Sequence, residues 1–540
     1  MQSKFYQPLL TLCLLGVAIW YITNLQPTTS SNNRINIDQE EAEKENPTAR
    51  MEAEFKMLKN PATGKIPRGI QQRAVNTALK TPAFQLPKHP NQKTLPNITV
   101  TERGPNNYGG RTRAFAFDVR NSNIMIAGGV SSGIFRSTDN GSNWTRVTPA
   151  GMIHNLTAIA QDTRAGQQDT WYVGTGEKNG NSAEAEGATY LGFGIWKSTD
   201  NGLTWAPLAS TQNNDLESFD DDFDFISRII VNPNNGDILV VTGEVLKRSS
   251  DNGANWIDEL GNSLANEGNN GDIIYNAASS RFYVALHGQA SQDAGVWSSP
   301  DGDNWTQVRT PTQLNANGVG RMVLANVANT PGIVVMSQLS TAFSCTGGSS
   351  EAGLHHFDGT STWTDHTDKI SDCAGGSTSP KGISLQGAYN MCITTKPNDA
   401  NLVYFGGVEI FRYNLSTNAY DFIGGSQLAA NATNLHVDNH LLMFEDNTTL
   451  WAGNDGGIRS TNAEGTLNSA GFVWSNKNTD YVTYQYYDGD IHPTSGSNFL
   501  AGAAQDNAFT IQPTNAQALE VGPTADGIAV GILSGTSFTS

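Results

Sequence analysis

Cysteine is scarce, with four in 540 residues. Cys13 lies in an apolar amino-terminal stretch, and Cys345, Cys373 and Cys392 form an odd set that cannot all pair with one another. One bridge, Cys345 to Cys373 across a Gly/Ser-rich insert, would need an oxidising compartment. No CxxC spacing is present to hold zinc. Charge is thin as well, at 16% of residues, and lopsided: 33 Lys and Arg against 51 Asp and Glu give a net charge of -18. Without clustered basic residues to displace counterions, nucleic-acid binding is excluded. The acidic balance suits an exported soluble body and is compatible with calcium or with a neutral or basic ligand. Long amphipathic helices are missing after residue 100. In their place stand 55 glycines and short β-type runs bounded by Gly, Asn, Asp, Ser or Pro, the composition of many-stranded sheet.

The first 23 residues place Lys4 ahead of an apolar stretch from Leu9 to Ile22, followed by polar residues. That pattern is a signal peptide or an amino-terminal membrane anchor. No small-x-small site follows it, which favours the uncleaved anchor, and Leu12 before Cys13 argues against a lipoprotein. Residues 24–47, with the run DQEEAEKEN, read as a polar linker. Residues 48–96 read as a short helical and extended segment, with Thr48 as a cap and Met51, Phe55 and Leu58 on one helical face.

From residue 97 onward the chain repeats. STDNGSNW (Ser137, Asp139, Gly141, Trp144), STDNGLTW (Ser198, Asp200, Gly202, Trp205) and SSDNGANW (Ser249, Asp251, Gly253, Trp256) are near-identical, and SSPDGDNW (Ser298, Asp301, Gly302, Trp305) is a looser fourth. Each joins two short alternating strands, so each is a hairpin turn. The aspartate accepts backbone N–H groups, the glycine allows positive φ, and the tryptophan opens the outgoing strand and buries apolar area between sheets. The tryptophans recur 61, 51 and 49 residues apart, the length of one four-stranded propeller blade. Weaker units place Trp363, Tyr420 and Trp474, and a further unit from TYQYYDGDIHP to ALEVG brings the count to about eight, within a range of seven to ten. GIAVGIL then reads as the first strand of another blade. Either the array is truncated at its carboxy end, or this strand completes the ring with an amino-terminal one.

With these repeats the chain resembles the Asp-box, or BNR-repeat, β-propellers, which include sialidases, xyloglucanase-like glycoside hydrolases and sortilin ectodomains. GPNNYGGRTRAFAFD, LHVDNHLLMFEDNTTLWAGNDGGIRST and AGAAQDNAF are similar to stretches of exported bacterial sortilin-like, glycosyl-hydrolase-like propellers. The resemblance implies an all-β propeller over residues 97–540 whose Asp-box turns lie at the periphery, away from ligands.

Several residues are candidates for a site. His436, Asp438 and His440 in HVDNH alternate along an expected strand and would share one face as metal or ligand groups, or form a hydrogen-bonded polar ladder; residues two apart on a strand stand roughly 6.7 Å apart, wide for one small ion. Asp455 and Asp506 follow apolar runs at strand ends, as a glycosidase carboxylate pair or as turn caps. Arg111 offers a bidentate contact to a carboxylate. No FRIP-type arginine strand precedes the first box, which argues against a sialidase. Glu177 sits in an insert, either a binding loop or a solvated one. The acidic run Asp215, Glu217, Asp220, Asp221, Asp222 and Asp224 would suit calcium, but it lacks the EF-hand pattern, so an exposed loop is the simpler account. The expected function is non-catalytic recognition of a protein, peptide or glycan through a propeller face at the cell envelope, either secreted or membrane-anchored; the alternative is a glycoside hydrolase.

Overall fold

A computed structural model describes most of residues 104–512, parts of 55–80, and strand segments at 519–521, 531–532 and 538–539. The leader, the polar linker and Cys373 lie outside the described residues, and helical residues occur at 55–56, 73–74, 77 and 80. Among the described residues no helix is long and apolar enough to cross a membrane.

The chain forms eight four-stranded antiparallel sheets, each built from strands consecutive in sequence. The first sheet is Thr112–Asp118, Asn121–Gly129, Gly133–Ser137 and Thr145–Arg146. The innermost strands of the next six are Leu156–Gln161, Ile226–Val231, Asp272–Asn276, Val319–Asn326, Cys392–Thr395 and Asn439–Phe444. Second strands such as Trp171–Thr175 (WYVGT) and Ile238–Thr242 (ILVVT) are buried along their whole length. A strand enclosed by neighbouring blades on both faces reads as a continuous apolar run rather than an alternating one. Fourth strands such as Thr145–Arg146 and Ala206–Pro207 are exposed. Apolar content therefore falls from the centre outward, as a propeller requires.

Successive innermost strands touch, and the seventh, Asn439–Phe444, returns to contact the first. Phe115, Met125, Phe135 and Trp144 of the first blade share a core cluster with Leu441, Trp451 and Ile458 of the seventh and with Tyr481 beyond it. Seven blades thus close into a ring. The eighth sheet, beginning with Tyr486–Ile491, follows outside that closure, and Gly531–Ile532 contacts its innermost strand as a further strand of the same progression. The amino-terminal approach crosses the end of the seventh blade, where Gly110 N–H donates to Thr483 Oγ1 at 2.7 Å. A Cβ on Gly110 would lie 2.3 Å from the Thr483 carbonyl oxygen, so the GG of NNYGGR is needed for this approach.

The repeated turns have a common chemistry. In the first, Ser137 Oγ donates to Asp139 (2.9 Å) and accepts from Gly141 N–H (2.9 Å), while Asp139 accepts from Asn143 N–H (2.9 Å). Asn140, Asn201 and Asn252 take left-handed φ of 56°, 59° and 61°, a conformation asparagine tolerates. Trp144 donates from Nε1 to the Lys477 carbonyl of the seventh blade at 2.8 Å, and Trp205 packs with Ile126 and Ile134 of the first. The fourth turn corrects the sequence reading. Ser299, not Ser298, donates to Asp301 (2.9 Å) and accepts from Gly302 N–H (2.8 Å), and Ser298 accepts from Arg281 instead. The serine must stand two residues before the aspartate for its hydroxyl to reach, and loss of the asparagine between Asp301 and Gly302 shifts the register by one. Trp363 and Tyr420 open their fourth strands and Trp474 directly precedes one, as the weaker repeats lead one to expect.

Candidate functional site

Innermost strands begin, and second strands end, on the same face of the ring, and a buried polar cluster gathers there. Arg111 directly precedes the first innermost strand, and Arg113 lies within it. Asp438 and His440 flank the start of the seventh, Asp455 occupies the turn after Thr449–Asn454, and Asp506 the turn after Leu500–Ala504 of the eighth sheet. Glu177 follows the second strand of the second blade, and Tyr389 and Asn390 precede the innermost strand of the sixth. Seven residues singled out from sequence, Arg111, Glu177, His436, Asp438, His440, Asp455 and Asp506, are therefore brought together.

Arg111 is the centre of the cluster. Its Nε lies 3.1 Å from Asp455 Oδ1, its Nη2 lies 3.5 Å from Asp455 Oδ2 and 3.2 Å from Asp506 Oδ2, and its guanidinium stacks 5.0 Å from the Tyr389 ring centre. Asp455 also accepts from Tyr389 Oη and sits 2.6 Å from His440 Nε2. Burial alone would raise the pKa of Asp455, yet the charge of Arg111 and the bonds from His440 and Tyr389 hold it well below the ordinary carboxylate range. Its side chain is 1% exposed, against 24% for Asp506.

HVDNH does not form the alternating strand expected of it, because Asp438 has a left-handed φ of 61° and the strand begins only at Asn439. The three side chains have separate partners. His436 Nε2 lies 2.8 Å from the Asp506 carbonyl oxygen. Asp438 accepts from Asn390 Nδ2 at 2.6 Å. His440 Nδ1 faces Arg113 Nη1 at 2.8 Å; since Arg113 can only donate, Nδ1 accepts and Nε2 carries the proton given to Asp455. Burial, then the charge of Arg113, push the His440 pKa down to about 3, so the imidazole is neutral.

Asp438, Asp455 and Asp506 place carboxylate oxygens within 4.8 Å of one another, the one such grouping among the described residues with metal-ligand chemistry. Arg111 already supplies a cation to two of them, and Asp455 accepts four hydrogen bonds on its two oxygens, leaving it no free lone-pair direction. Glu177 is buried and not solvated, 2.6 Å from Arg113 Nε. In the acidic run, Asp221 caps a short 3-10 helix over Asp222–Asp224 and Asp222 pairs with Lys247 at 2.8 Å, while Asp215, Glu217 and Asp220 fall outside the described residues.

Asp438 carries a pH signature. Burial, and next the charge of Asp455, raise its pKa to about 7. Unfolded, it titrates near 3.9, so between about pH 4 and 7 the folded state holds the extra proton and stability falls as pH rises, levelling above 7. Asp438→Asn keeps a neutral side chain throughout. Expected is a flatter stability profile over that window and a gain of order 2 kcal/mol at pH 8, read by denaturant unfolding at pH 5 and pH 8; an unchanged slope would refute the assignment.

Tyr389, Asn390 and Arg321 escape a motif-based reading because each is isolated in sequence, and Arg113, two residues from Arg111 in GGRTR, is passed over in favour of its neighbour. A usable signal is a charged residue near the start of an apolar innermost strand, as in TRAFAFD, ISRIIV, DIIYN and VGRMVLAN.

No family model and no curated protein matches the chain. Solved structures do. A GH74 xyloglucanase from Xanthomonas campestris aligns with TM-score 0.54 and 16% identity over 79% of this chain and 62% of its own. An ancestral GH74 enzyme aligns at 0.52 and 14% over 78% and 56%, and the Niastella koreensis GH74 enzyme at 0.52 and 15% over 78% and 61%. The chain thus spans about three fifths of the length of these enzymes, and at such identities the likeness is one of β-propeller fold.

Proposed function

We propose that this chain is an extracytoplasmic recognition module of the Asp-box type, held at the cell envelope by its amino-terminal segment, which binds a protein, peptide or glycan over the face centred on Arg111. The observation that carries this reading is the saturation of Asp455. A glycosidase nucleophile or base needs a free lone pair aimed at substrate, whereas both Asp455 oxygens receive internal donors. The residue fixes the face rather than reacting on it.

A second reading, glycoside hydrolysis, draws on one observation. Asp438, with its pKa near 7, lies close to the more exposed Asp506, and two adjacent carboxyl groups in unlike surroundings are the raw material of acid and base catalysis. Incubating the full chain with a panel of polysaccharides, including xyloglucan, and measuring reducing ends separates the two. The recognition reading expects no turnover above blank. Turnover abolished by Asp438→Asn or Asp506→Asn would make the chain a hydrolase.

A further inference from the structure

The channel along the ring axis holds a cavity of about 270 Å³. Its charged lining lies near the strand starts: Arg113, Arg228, Arg321, Glu177 and Asp272, with His440. Arg113 pairs with Glu177 at 2.6 Å and Arg228 with Asp272 at 3.2 Å. Arg321 Nη1 reaches the Tyr389 carbonyl oxygen at 3.4 Å. With His440 neutral, three guanidiniums face two carboxylates, one positive charge in excess. Asp455 does not line this space and is taken up by Arg111, Tyr389 and His440. Burial, reinforced by the charge of Arg113, lowers the pKa of Arg321 to about 10, which agrees with a locally positive, poorly hydrated surrounding.

Further along the same strands Ile274, Val323, Leu324, Leu441 and Met443 add apolar lining, beside the polar Thr157, Asn326, Thr394 and Thr395. A second cavity of about 430 Å³ shares Thr157, Arg228, Leu441 and Met443 with the first and continues the apolar wall with Phe115, Ile159, Val231 and Tyr275. The channel therefore offers guanidiniums near the strand starts and, beyond them, hydrocarbon interspersed with a few hydroxyl and amide groups. A single excess charge matches a monoanion better than a phosphate dianion.

We propose that the propeller channel binds a small carboxylic acid with an apolar tail, its carboxylate among Arg113, Arg228 and Arg321 and its chain along Val323, Leu441 and Met443. Guanidinium–carboxylate bonds fix the head, and burial of the tail supplies most of the affinity.

Isothermal titration of the full chain with butyrate, hexanoate, octanoate and decanoate, with 1-octanol and inorganic phosphate at matched ionic strength, tests this without any substitution. Affinity is expected to rise about fourfold per added methylene, with 1-octanol at least tenfold weaker than octanoate and phosphate weaker still. Arg321→Gln, confirmed folded by circular dichroism, is expected to weaken octanoate at least tenfold while leaving 1-octanol unchanged. Absence of decanoate binding, 1-octanol binding as tightly as octanoate, or phosphate binding more tightly than octanoate would each overturn the proposal.

Discussion

Replacing Arg111 by methionine is expected to lower the unfolding free energy by about 3–5 kcal/mol. Methionine approximates the length of the side chain but leaves Asp455 and Asp506 facing each other with no intervening cation, and Asp455 is 1% exposed. Breaking a buried pair strands an uncompensated charge, which is why removing one partner costs far more than the pair contributes in sum. The sign with pH follows. A carboxylate whose folded pKa is depressed stabilises above its unfolded value near 3.9 and loses that contribution as pH falls through the folded one. The deficit of the variant is therefore greatest at neutral pH and shrinks below about pH 4. Adding Asp455→Asn removes the stranded charge, so the double variant should be more stable than Arg111→Met alone. Urea unfolding of the three proteins at pH 7 and pH 4 decides the matter; strictly additive losses would mean that Arg111 acts through packing rather than charge.

Trp451→Ala should be comparably damaging, by about 3–5 kcal/mol. Trp451 is fully buried, packs edge-on to Phe117 with ring centres 5.4 Å apart, and donates from Nε1 to Glu445 Oε2 at 3.0 Å. It also meets the first repeated turn: a Cβ on Gly141 would lie 3.0 Å from its ring. The indole thus fills the seam where the seventh blade meets the first, and its removal leaves a void that close-packed sheets cannot collapse to fill. Guanidinium unfolding gives the magnitude. Hydrogen exchange supplies a second readout, since a seam defect raises exchange in Thr112–Asp118 more than in the fourth blade. A loss below about 1 kcal/mol, or uniform exchange, would contradict this role for Trp451.

What could be read in advance and what could not divides by sequence distance. The turn around Asp200 is written in eight adjacent residues, and its hydrogen bonds join residues at most four apart, so the repeat discloses blade length and hairpin chemistry together. Closure depends on Phe115 meeting Trp451, a contact that no local pattern encodes, and blade counting alone leaves the ring size open. HVDNH misled for a local reason: alternation presumes extended backbone, and Asp438 departs from it. The fourth turn differs from the repeat by one residue, since alignment on the octapeptide gives Ser298 while the hydroxyl geometry selects Ser299. Asp455 and Asp506 read as polar residues at strand ends, and Arg111 as a guanidinium suited to a carboxylate. That one guanidinium joins both carboxylates required three distant segments to be placed together.

Because every described blade is made from one continuous stretch of chain, the ring is a belt without a buckle: among the described residues no strand from one end completes a sheet begun at the other. Its first and last members are held by side-chain packing and a few hydrogen bonds between turns, among them Trp144 N–H to the Thr479 carbonyl at 3.1 Å and Asp480 N–H to the Asn106 carbonyl at 2.7 Å. In vectorial synthesis the inner surface of blade one, with Phe115, Met125 and Phe135, must wait for roughly 300 residues between Ser137 and Asn439 to emerge, about 15–60 s at ordinary elongation rates. For that interval a greasy, unpartnered flank is on offer to any passing chain, and the same flank on a second nascent copy is just as available. The period of greatest hazard for this protein therefore falls before its belt is fastened, when a holding chaperone has most to protect.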